Sequence, residues 1–399
     1  MTLQNQQIIS KNVMESLSQA QSSFATQKKK DALAVFKSIP MPKEKDEDWR
    51  YTDISKLKLP ENFEPRSRIH FSILSEDLVE KGVILTDINT ALDNNEIAQK
   101  YLFKNNPFSK EKFIALNEAF FNNGIFLFIP KNVEIDEPIK VKFEAIGESS
   151  VIHNLIVAES NSKIDFIEEY SNQDIGKEQI NASVTEVYAN PNSKINFYHL
   201  NNWTENIYNF ANIIGTLEKD SALNWISGCF GGKLNRLRID TFFNGQGSQC
   251  KNIGVFLGKG KEHVDFNTNM YHNAENTTND VLVDGILKDK STSVYRGLIK
   301  IPKTGQKTNS YLANHILKLG DKTLANSIPS LKIDANDVKA SHGATVGQID
   351  EEHLFYLMAR GLSRQEAERL IVEGFFEPVI QKIPSEELKE KIRELVRDK

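Results

Sequence analysis

Cysteine is scarce in this sequence of 399 residues. Only Cys229 and Cys250 are present, which excludes a disulfide framework and suggests a reducing compartment. The chain also lacks any apolar run close to the ~18 residues that a membrane span needs. Its Asn-, Gln- and Ser-rich start lacks the apolar segment of a secretory signal. Together these absences predict a cytoplasmic protein.

The sequence also has no excess of basic residues over acidic residues. The 49 Lys and Arg residues are outnumbered by 54 Asp and Glu residues, which gives a formal net charge of −5. A mildly acidic chain is a poor partner for a phosphate backbone or an anionic lipid surface. We therefore predict that this protein binds neither nucleic acid nor membranes.

Familiar catalytic and nucleotide-binding motifs are also missing. The glycines match neither the P-loop nor the dinucleotide fingerprint, and the segment 304–308 (TGQKT) lacks the first glycine of a P-loop at the required spacing. The sequence has no Cys-x-x-Cys pair and no His-Glu-x-x-His motif. The eight histidines are scattered along the chain, so no enzyme constellation can be assembled from them.

An internal repeat is present in the middle of the chain, where residues from about 141 to 335 have the pattern of strands without intervening helices. The segment 161–166 (NSKIDF) recurs at 192–197 (NSKINF) and at 220–225 (DSALNW), and a degraded copy stands at 247–252 (GSQCKN). A repeat of about 28 residues with a polar turn and a strand is typical of a solenoid. The alternative is a large antiparallel sandwich, whose turns would come about every 8–12 residues.

Large apolar residues alternate with polar residues in the first three copies of the repeat. Residues that alternate in this way share one face of a strand. We predict that this face lines a continuous core, and its members are Ile164, Phe166, Ile195, Phe197, Leu223 and Trp225.

Helical patterns flank the predicted strands on both sides. One runs from about residue 9 to 38, and helices are predicted again after Asp350, which can cap the first of them. The predicted domains are an N-terminal helical domain (1–110), a β-structured core (111–345) and a C-terminal helical domain (346–399).

The C-terminal helices carry more apolar side chains than a terminal tail needs. Leu370, Phe375 and Phe376 belong to the second of these helices, which opens with the capping box Ser363–Glu366. Two interpretations remain open: the helices pack back onto the β-structure, or they present a groove to a partner protein.

His342 lies where the strands give way to the C-terminal helices. Its neighbours Ser341 and Gly343 are small, so a ligand or a partner chain can approach the imidazole. The alternative is that His342 is only a polar residue in a tight turn.

Six segments of the sequence carry a resemblance to a known family. They are 48–53 (DWRYTD), 116–119 (LNEA), 124–131 (GIFLFIPK), 329–334 (PSLKID), 337–350 (DVKASHGATVGQID) and 354–362 (LFYLMARGL). With them the chain closely resembles the SufB/SufD family of iron–sulfur cluster assembly proteins from about residue 48 to 383. It is most similar to the SufD branch, whose N-terminal signature the segment 48–53 resembles.

This resemblance implies a right-handed parallel β-helix with helical domains at both ends. It also implies a scaffold and not an enzyme. Such a scaffold pairs through its β-core with a SufB-like homologue, and the isolated chain is able to homodimerise. Its C-terminal helices dock a SufC-like ABC ATPase, to which ATP hydrolysis belongs. Leu370, Phe375 and Phe376 are then the expected contacts with the ATPase.

The resemblance further places His342 at the position of an interfacial histidine, where it is expected to bind metal together with ligands from SufB. Many relatives carry cysteine where this chain has Ala340, so a thiol role is absent at that position. Because a cluster usually takes four ligands, we expect no tightly bound cofactor in this chain alone. A nascent iron–sulfur cluster is expected only transiently at the interface with SufB.

Two other functions remain alternatives. The first is a purely structural partner protein in which His342 has no chemical role. The second is a carbohydrate-active β-helix enzyme, which would need clustered acids and bases on one face of the solenoid.

Overall fold

The computed structural model describes residues 24–59, 63–104 and 111–397. The first part of the helix predicted over about 9–38 therefore lies outside the described residues. None of the helices in these ranges is long and apolar enough to span a membrane.

The repeated segments each begin with a residue in the left-handed backbone conformation. Asn161, Asn192 and Asp220 have φ angles of 61°, 61° and 56°, which Asn and Asp tolerate better than other residues with a Cβ atom. In the degraded copy the same position is Gly247, with a φ of 76°. The polar residue at the start of each copy is therefore required by the turn.

Successive turns are joined by a ladder of asparagine side chains. Asn192 Nδ2 donates to Asn161 Oδ1 at 2.7 Å, and Asn161 Nδ2 donates to Asn132 Oδ1 at 2.8 Å. Asn132 also has a positive φ, of 64°. The stack of turns therefore begins one coil earlier than the repeat visible in the sequence.

The strands after these turns form two sheets of nine strands each, and the two sheets face one another. Sheet A contains, in spatial order, β1 (Ser67–Phe71), β4 (Ile139–Ala145), β6 (Lys163–Asn172), β8 (Lys194–Asn202), β10 (Ala222–Phe230), β12 (Gln249–Gly258), β14 (Thr278–Leu287), β16 (Asn309–Lys318) and β18 (Lys339–Gln348). Sheet B contains β2 (Ile84–Asp87), β3 (Ile125–Ile129), β5 (Ser149–Ala158), β7 (Gln179–Ala189), β9 (Ile207–Leu217), β11 (Leu234–Phe243), β13 (His263–His272), β15 (Thr292–Ile301) and β17 (Leu324–Ile333).

All neighbours from β3 to β18 pair in parallel, and the chain alternates between the two sheets. This arrangement is a parallel β-helix of about eight coils, so the predicted solenoid is confirmed and the antiparallel sandwich is wrong. At the N-terminal end, β1 and β2 pair antiparallel with the first coil. At the C-terminal end, β17 and β18 each have a pairing partner on one side only among the described residues.

The interior of the β-helix is built from the residues that alternate in the repeat. Ile195 is paired in register with Ile164 on one side and with Leu223 on the other, so equivalent side chains stack from coil to coil. All six predicted inward residues are at most 1% exposed and belong to one apolar cluster. The predicted core face is therefore confirmed.

Helices cover the outer faces of both sheets. Near the N-terminus they are α1 (Phe24–Ser38), α2 (Glu76–Glu80), α3 (Ile88–Asn94), α4 (Glu96–Tyr101) and α5 (Lys112–Phe120), together with a 3-10 turn at Glu47–Trp49. At the C-terminus they are α6 (Glu351–Ala359), α7 (Arg364–Ile380) and α8 (Glu386–Arg397). Leu116 and Phe120 of α5 pack on Leu155 of sheet B, while Phe376 of α7 and Ile392 of α8 belong to the cluster on sheet A.

The first residues of α6 and α7 are capped as the sequence predicts. Asp350 accepts hydrogen bonds from the backbone N–H groups of Glu352 and His353, and Ser363 and Glu366 form a reciprocal capping box. The division of the chain at residues 110 and 345 stays a prediction. Strands β1 and β2 fall inside the proposed N-terminal domain, and helix α5 falls inside the proposed core.

Candidate functional site

His342 lies on β18, at the open end of the β-helix. It is paired in register with Leu312 of β16, whose side chain is 1% exposed and belongs to the interior cluster. Side chains at paired positions of a sheet face the same side, so His342 continues the inward-facing row. No further coil covers it among the described residues, and its side chain is exposed.

The other inward positions of the last coil form a surface around His342. We call this surface the terminal face, and it consists of Ser327, Pro329, Leu331 and Ile333 of β17 with Ala340, His342, Ala344 and Val346 of β18. Leu331, Ile333 and Val346 are 37%, 37% and 44% exposed. In the preceding coil the same rows hold fully buried residues, such as Ile299 and Ile301. The terminal face is therefore a cross-section of the core that remains open to solvent.

The backbone of β18 has one free edge beside this face. The N–H groups of Lys339 and Ile349 donate to Thr308 O and Lys318 O of the preceding coil, at 2.8 and 2.9 Å. Because backbone groups of successive strand residues point to alternate sides, the N–H groups of His342, Ala344 and Val346 point away from β16. An edge of this kind can accept another strand.

His342 does not belong to a metal-binding cluster of side chains in the part of the chain that the structure describes. Among the described residues, no group of three or more His, Cys, Asp and Glu side chains is arranged to hold a metal ion. Cys229 and Cys250 are buried in the β-helix interior. Burial raises the pKa of the Cys229 thiol to about 12, and burial also raises the pKa of the Cys250 thiol well above its ordinary value. Both thiols therefore stay protonated and serve as core residues.

The predicted partner-binding residues of α7 lie in different environments. Leu370 is 43% exposed, Phe375 is partly buried, and Phe376 is fully buried in the cluster on sheet A. One side of α7 therefore packs onto the β-helix while another faces solvent. The interpretation that these helices present a groove to a partner protein stays a prediction.

Helix α6 adds exposed apolar residues that the sequence analysis did not assign to a surface. Phe355, Tyr356 and Met358 are 72%, 56% and 40% exposed, whereas Leu354 is 1% exposed. We use the name helical patch for these three residues together with Leu370. Phe355 and Met358 are three residues apart, a spacing that brings side chains together on a helix and could have indicated this exposed apolar surface.

The sequence analysis also missed a buried polar network inside the β-helix. Glu168 Oε1 lies 2.6 Å from His199 Nδ1, and Glu168 Oε2 accepts hydrogen bonds from Asn154 Nδ2 at 3.0 Å and Thr185 Oγ1 at 3.1 Å. Glu168 and His199 are paired in register on adjacent strands. The alternation of the repeat, continued two residues beyond Phe166 and Phe197, would have placed both side chains inside the β-helix. Because they are at most 1% exposed, they stabilise the interior and offer no site to an external ligand.

A second polar cluster joins helix α5 to sheet B. His153 Nδ1 lies 2.8 Å from Asn117 Oδ1, and His153 Nε2 lies 3.1 Å from Glu186 Oε1. Glu118 is buried beside them, and burial, followed by the charge of Glu186, raises its pKa from 4.5 to about 8. The folded protein therefore holds a proton on Glu118 at neutral pH.

This proton makes the stability depend on pH. Between the ordinary pKa of 4.5 and the folded value of about 8, the folded state binds more protons than the unfolded state, so the free energy of unfolding falls as pH rises. Glu118→Gln is expected to remove this part of the slope and to raise the free energy of unfolding at pH 8 by a few kcal/mol. Urea unfolding at pH 5 and pH 8 measures it, with Glu134→Gln at an exposed site as control. Equal slopes for Glu118→Gln and the parent would contradict the assignment.

Comparison with known proteins agrees with this architecture. Residues 142–375 match the family model described as SUF system FeS cluster assembly, SufBD core domain, and residues 70–141 match the SufBD protein N-terminal region. The iron-sulfur cluster assembly protein SufD of Bacillus subtilis is 30% identical over 331 residues, which cover 82% of this chain and 76% of that protein. SufBD family proteins of Staphylococcus saprophyticus and Staphylococcus epidermidis are each 28% identical over 324 residues, covering 80% of this chain and 70% of each relative. This chain therefore belongs to the SufBD family of iron–sulfur cluster assembly proteins, and within that family it is SufD-like.

Proposed function

We propose that this chain is the scaffold subunit of a SufBCD-type assembly complex. In this proposal the terminal face pairs with a SufB-like homologue, and the C-terminal helices dock a SufC-like ATPase that performs the ATP hydrolysis. His342 contributes to an assembly site at the interface with SufB. The observation that carries the proposal is the position of His342, exposed on the terminal face beside a free strand edge.

The terminal face suits a second β-helix better than a small ligand. It combines the free edges of two strands, one in each sheet, with exposed apolar side chains that continue the core. A partner with strands at the same spacing can extend both sheets and cover Leu331, Ile333 and Val346. A homologue of the same fold provides this spacing. The same surface would serve an isolated chain for homodimerisation.

A metal role for His342 requires a partner. One imidazole cannot hold an iron–sulfur cluster, which usually takes four ligands, and the described part of the chain contains no group of three or more His, Cys, Asp and Glu side chains arranged to hold a metal ion. The missing ligands are then those of the SufB-like subunit. The nascent cluster is then bound only transiently at this interface, and we propose no tightly bound cofactor for this chain alone.

Ala344→Pro tests the pairing. Proline removes the N–H group of Ala344, which points to the free edge, and leaves the hydrogen bonds to β16 intact. We expect the affinity for the SufB-like homologue to fall about tenfold or more, measured by calorimetry on the purified proteins. Ala344→Ser, which keeps the N–H group, is the matched control. Parent-like affinity of the folded proline variant would refute pairing through β18.

The helical patch provides the test of ATPase docking. Phe355→Glu and Leu370→Glu change side chains that are 72% and 43% exposed, so the fold is expected to persist while binding of the SufC-like ATPase is lost. Phe71→Glu, at an exposed site near the N-terminal end, is the control. If both patch variants bind the ATPase as tightly as this control, the docking surface lies elsewhere. Deletion of residues 363–399 is a poorer test, since it would uncover the apolar cluster on sheet A.

A purely structural scaffold remains the second candidate. The terminal face would pair with a homologue equally well if His342 were chemically inert, because apolar contacts and strand pairing carry that interaction. The two candidates differ only in what the imidazole contributes to cluster formation.

A further inference from the structure

Three arginine side chains lie close together on the outer face of sheet B. Arg236 and Arg238 belong to β11 and Arg296 belongs to β15, and they are only 4%, 6% and 9% exposed. Residues 46–53, which we call the strap, cross over them. Arg236 Nη1 donates to Asp48 O at 3.1 Å, and Arg296 Nη2 donates to Arg50 O. The strap thus covers these guanidinium groups.

Asp265 is the main acceptor beneath the strap. It receives hydrogen bonds from Arg236, from Arg296 at 2.8 Å and from Thr52 Oγ1 at 2.6 Å. Burial opposes its ionisation, yet the positive charges of Arg236 and Arg296 hold its pKa below the usual range. Asp265 is therefore ionised and balances one of these two guanidinium groups.

The other charges beside the strap are those of Arg238 and its carboxylate neighbours. Asp240 Oδ2 lies 2.7 Å from Arg238 Nε. The side chain of Asp48, 3.5 Å from Arg238, is 68% exposed, so its charge is screened by solvent. Burial raises the pKa of the Glu111 carboxyl, while the positive charges of Arg236 and Arg238 act in the opposite direction.

Two hydrogen-bond donors of these guanidinium groups are left over. Arg236 Nη2 and Arg296 Nε are buried and have no hydrogen-bond partner among the described residues. Buried donors are nearly always satisfied in native proteins. A bound acceptor would supply a partner for such donors.

A cavity of about 200 Å³ opens beside these groups. Its polar lining consists of the cations Arg238, Arg296 and Lys332, the neutral residues Asn267, Asn269 and Ser330, and the carboxylates of Glu47 and Asp48. Pockets for drug-sized ligands usually measure about 300–1,000 Å³, so this cavity suits a smaller ligand. The strap contributes a further cation, Arg50, to its wall.

We propose that this cavity binds a small inorganic oxyanion of the size and charge of phosphate. The anion would lie against Arg238, Arg296 and Lys332, in a wall whose four cations outnumber its two carboxylates. Since Arg296 also holds the backbone of the strap at Arg50, anion binding would stabilise the strap against sheet B. The volume suits a single oxyanion and is too small to enclose a whole nucleotide, so the proposed ligand is free phosphate.

Thermal unfolding of the full chain in sodium phosphate and in sodium chloride at equal ionic strength tests the proposal. A ligand that binds only the folded state raises Tm with its concentration, so phosphate is expected to raise Tm in a saturable way and chloride is not. Titration calorimetry with phosphate gives the Kd directly. An equal Tm in both salts, with no heat of phosphate binding, would overturn the proposal.

Two variants at one position locate the site. Ser330→Asp places a carboxylate in the cavity wall and is expected to weaken phosphate binding about tenfold or more, whereas Ser330→Asn, of the same size and neutral, is expected to retain it. Equal phosphate binding by both variants would show that phosphate binds elsewhere.

ADP is the further probe, and we expect no rise of Tm with it. A rise with ADP that Ser330→Asp abolishes would overturn the size limit and with it the assignment to free phosphate.

Discussion

Ile195→Asp is expected to lower the free energy of unfolding by on the order of 5 kcal/mol. Ile195 is 1% exposed and stacks between Ile164 and Leu223 of the adjacent coils. The substitution removes these apolar contacts and buries a carboxylate among apolar side chains, where it is poorly solvated. Because each coil is stabilised by its neighbours, the loss affects the coils on both sides.

Urea unfolding of the parent and variant measures this effect. Lys194→Asp, which introduces the same group at the preceding exposed position, is expected to unfold close to the parent. The loss caused by Ile195→Asp should also shrink at acid pH, since a buried aspartic acid has a raised pKa and is stabilised by protonation. A variant that melts together with the parent would show that Ile195 does not contribute to the stacked core.

His342→Ala is expected to reduce cluster yield about tenfold or more while leaving assembly of the complex intact. The side chain is exposed, so its loss removes few packing contacts, and binding through the strand edges and apolar residues of the terminal face should persist. Ala340, on the same face, has no side-chain donor atom that could replace an imidazole ligand. ATP hydrolysis by the SufC-like partner should change little.

Cluster yield per mole of intact complex is the measurement that separates the two candidate functions. Thr345→Ala, at an exposed position on the opposite face of β18, is the matched control. A ligand role for His342 lowers yield at constant complex concentration. If yield instead falls only in proportion to the amount of complex, or does not fall, the chain is a structural scaffold.

Much of the β-helix could be predicted because its turns impose a residue type. The positive φ of Asn161, Asn192 and Asp220 restricts the start of each coil, and alternation then places Ile164 and its equivalents inside. The coil that begins at Asn132 escaped the sequence analysis because Val133 stands where the other copies have serine. Later coils escaped for a similar reason: Thr308 replaces serine, and its Oγ1 atom donates to Gly305 O at 2.9 Å, as Ser162 Oγ does to Glu159 O at 2.6 Å.

The orientation of the C-terminal helices could not be predicted in the same way. Leu370 and Phe376 are both large apolar residues of α7, yet one is 43% exposed and the other is fully buried. The local sequence predicts an amphipathic helix. Which of its apolar side chains are buried depends on the positions of Tyr198, Ile226 and the other outward-facing residues of sheet A, onto which the helix packs. The proposed anion-binding site could not be predicted for the same reason, because the strap and Asp265 are far apart in sequence and come into contact only in the folded chain.

The two ends of the β-helix differ in strand direction, and this difference limits how many molecules can join. A stack of parallel coils with equivalent ends would let each molecule add to the next and grow into a fibre. Here β1 and β2 reverse direction at the N-terminal end, so a head-to-tail contact with β18 could not continue the parallel ladder. If two molecules pair through their open ends as proposed, each presents only this antiparallel end outward, so a third molecule could not join by continuing the parallel ladder.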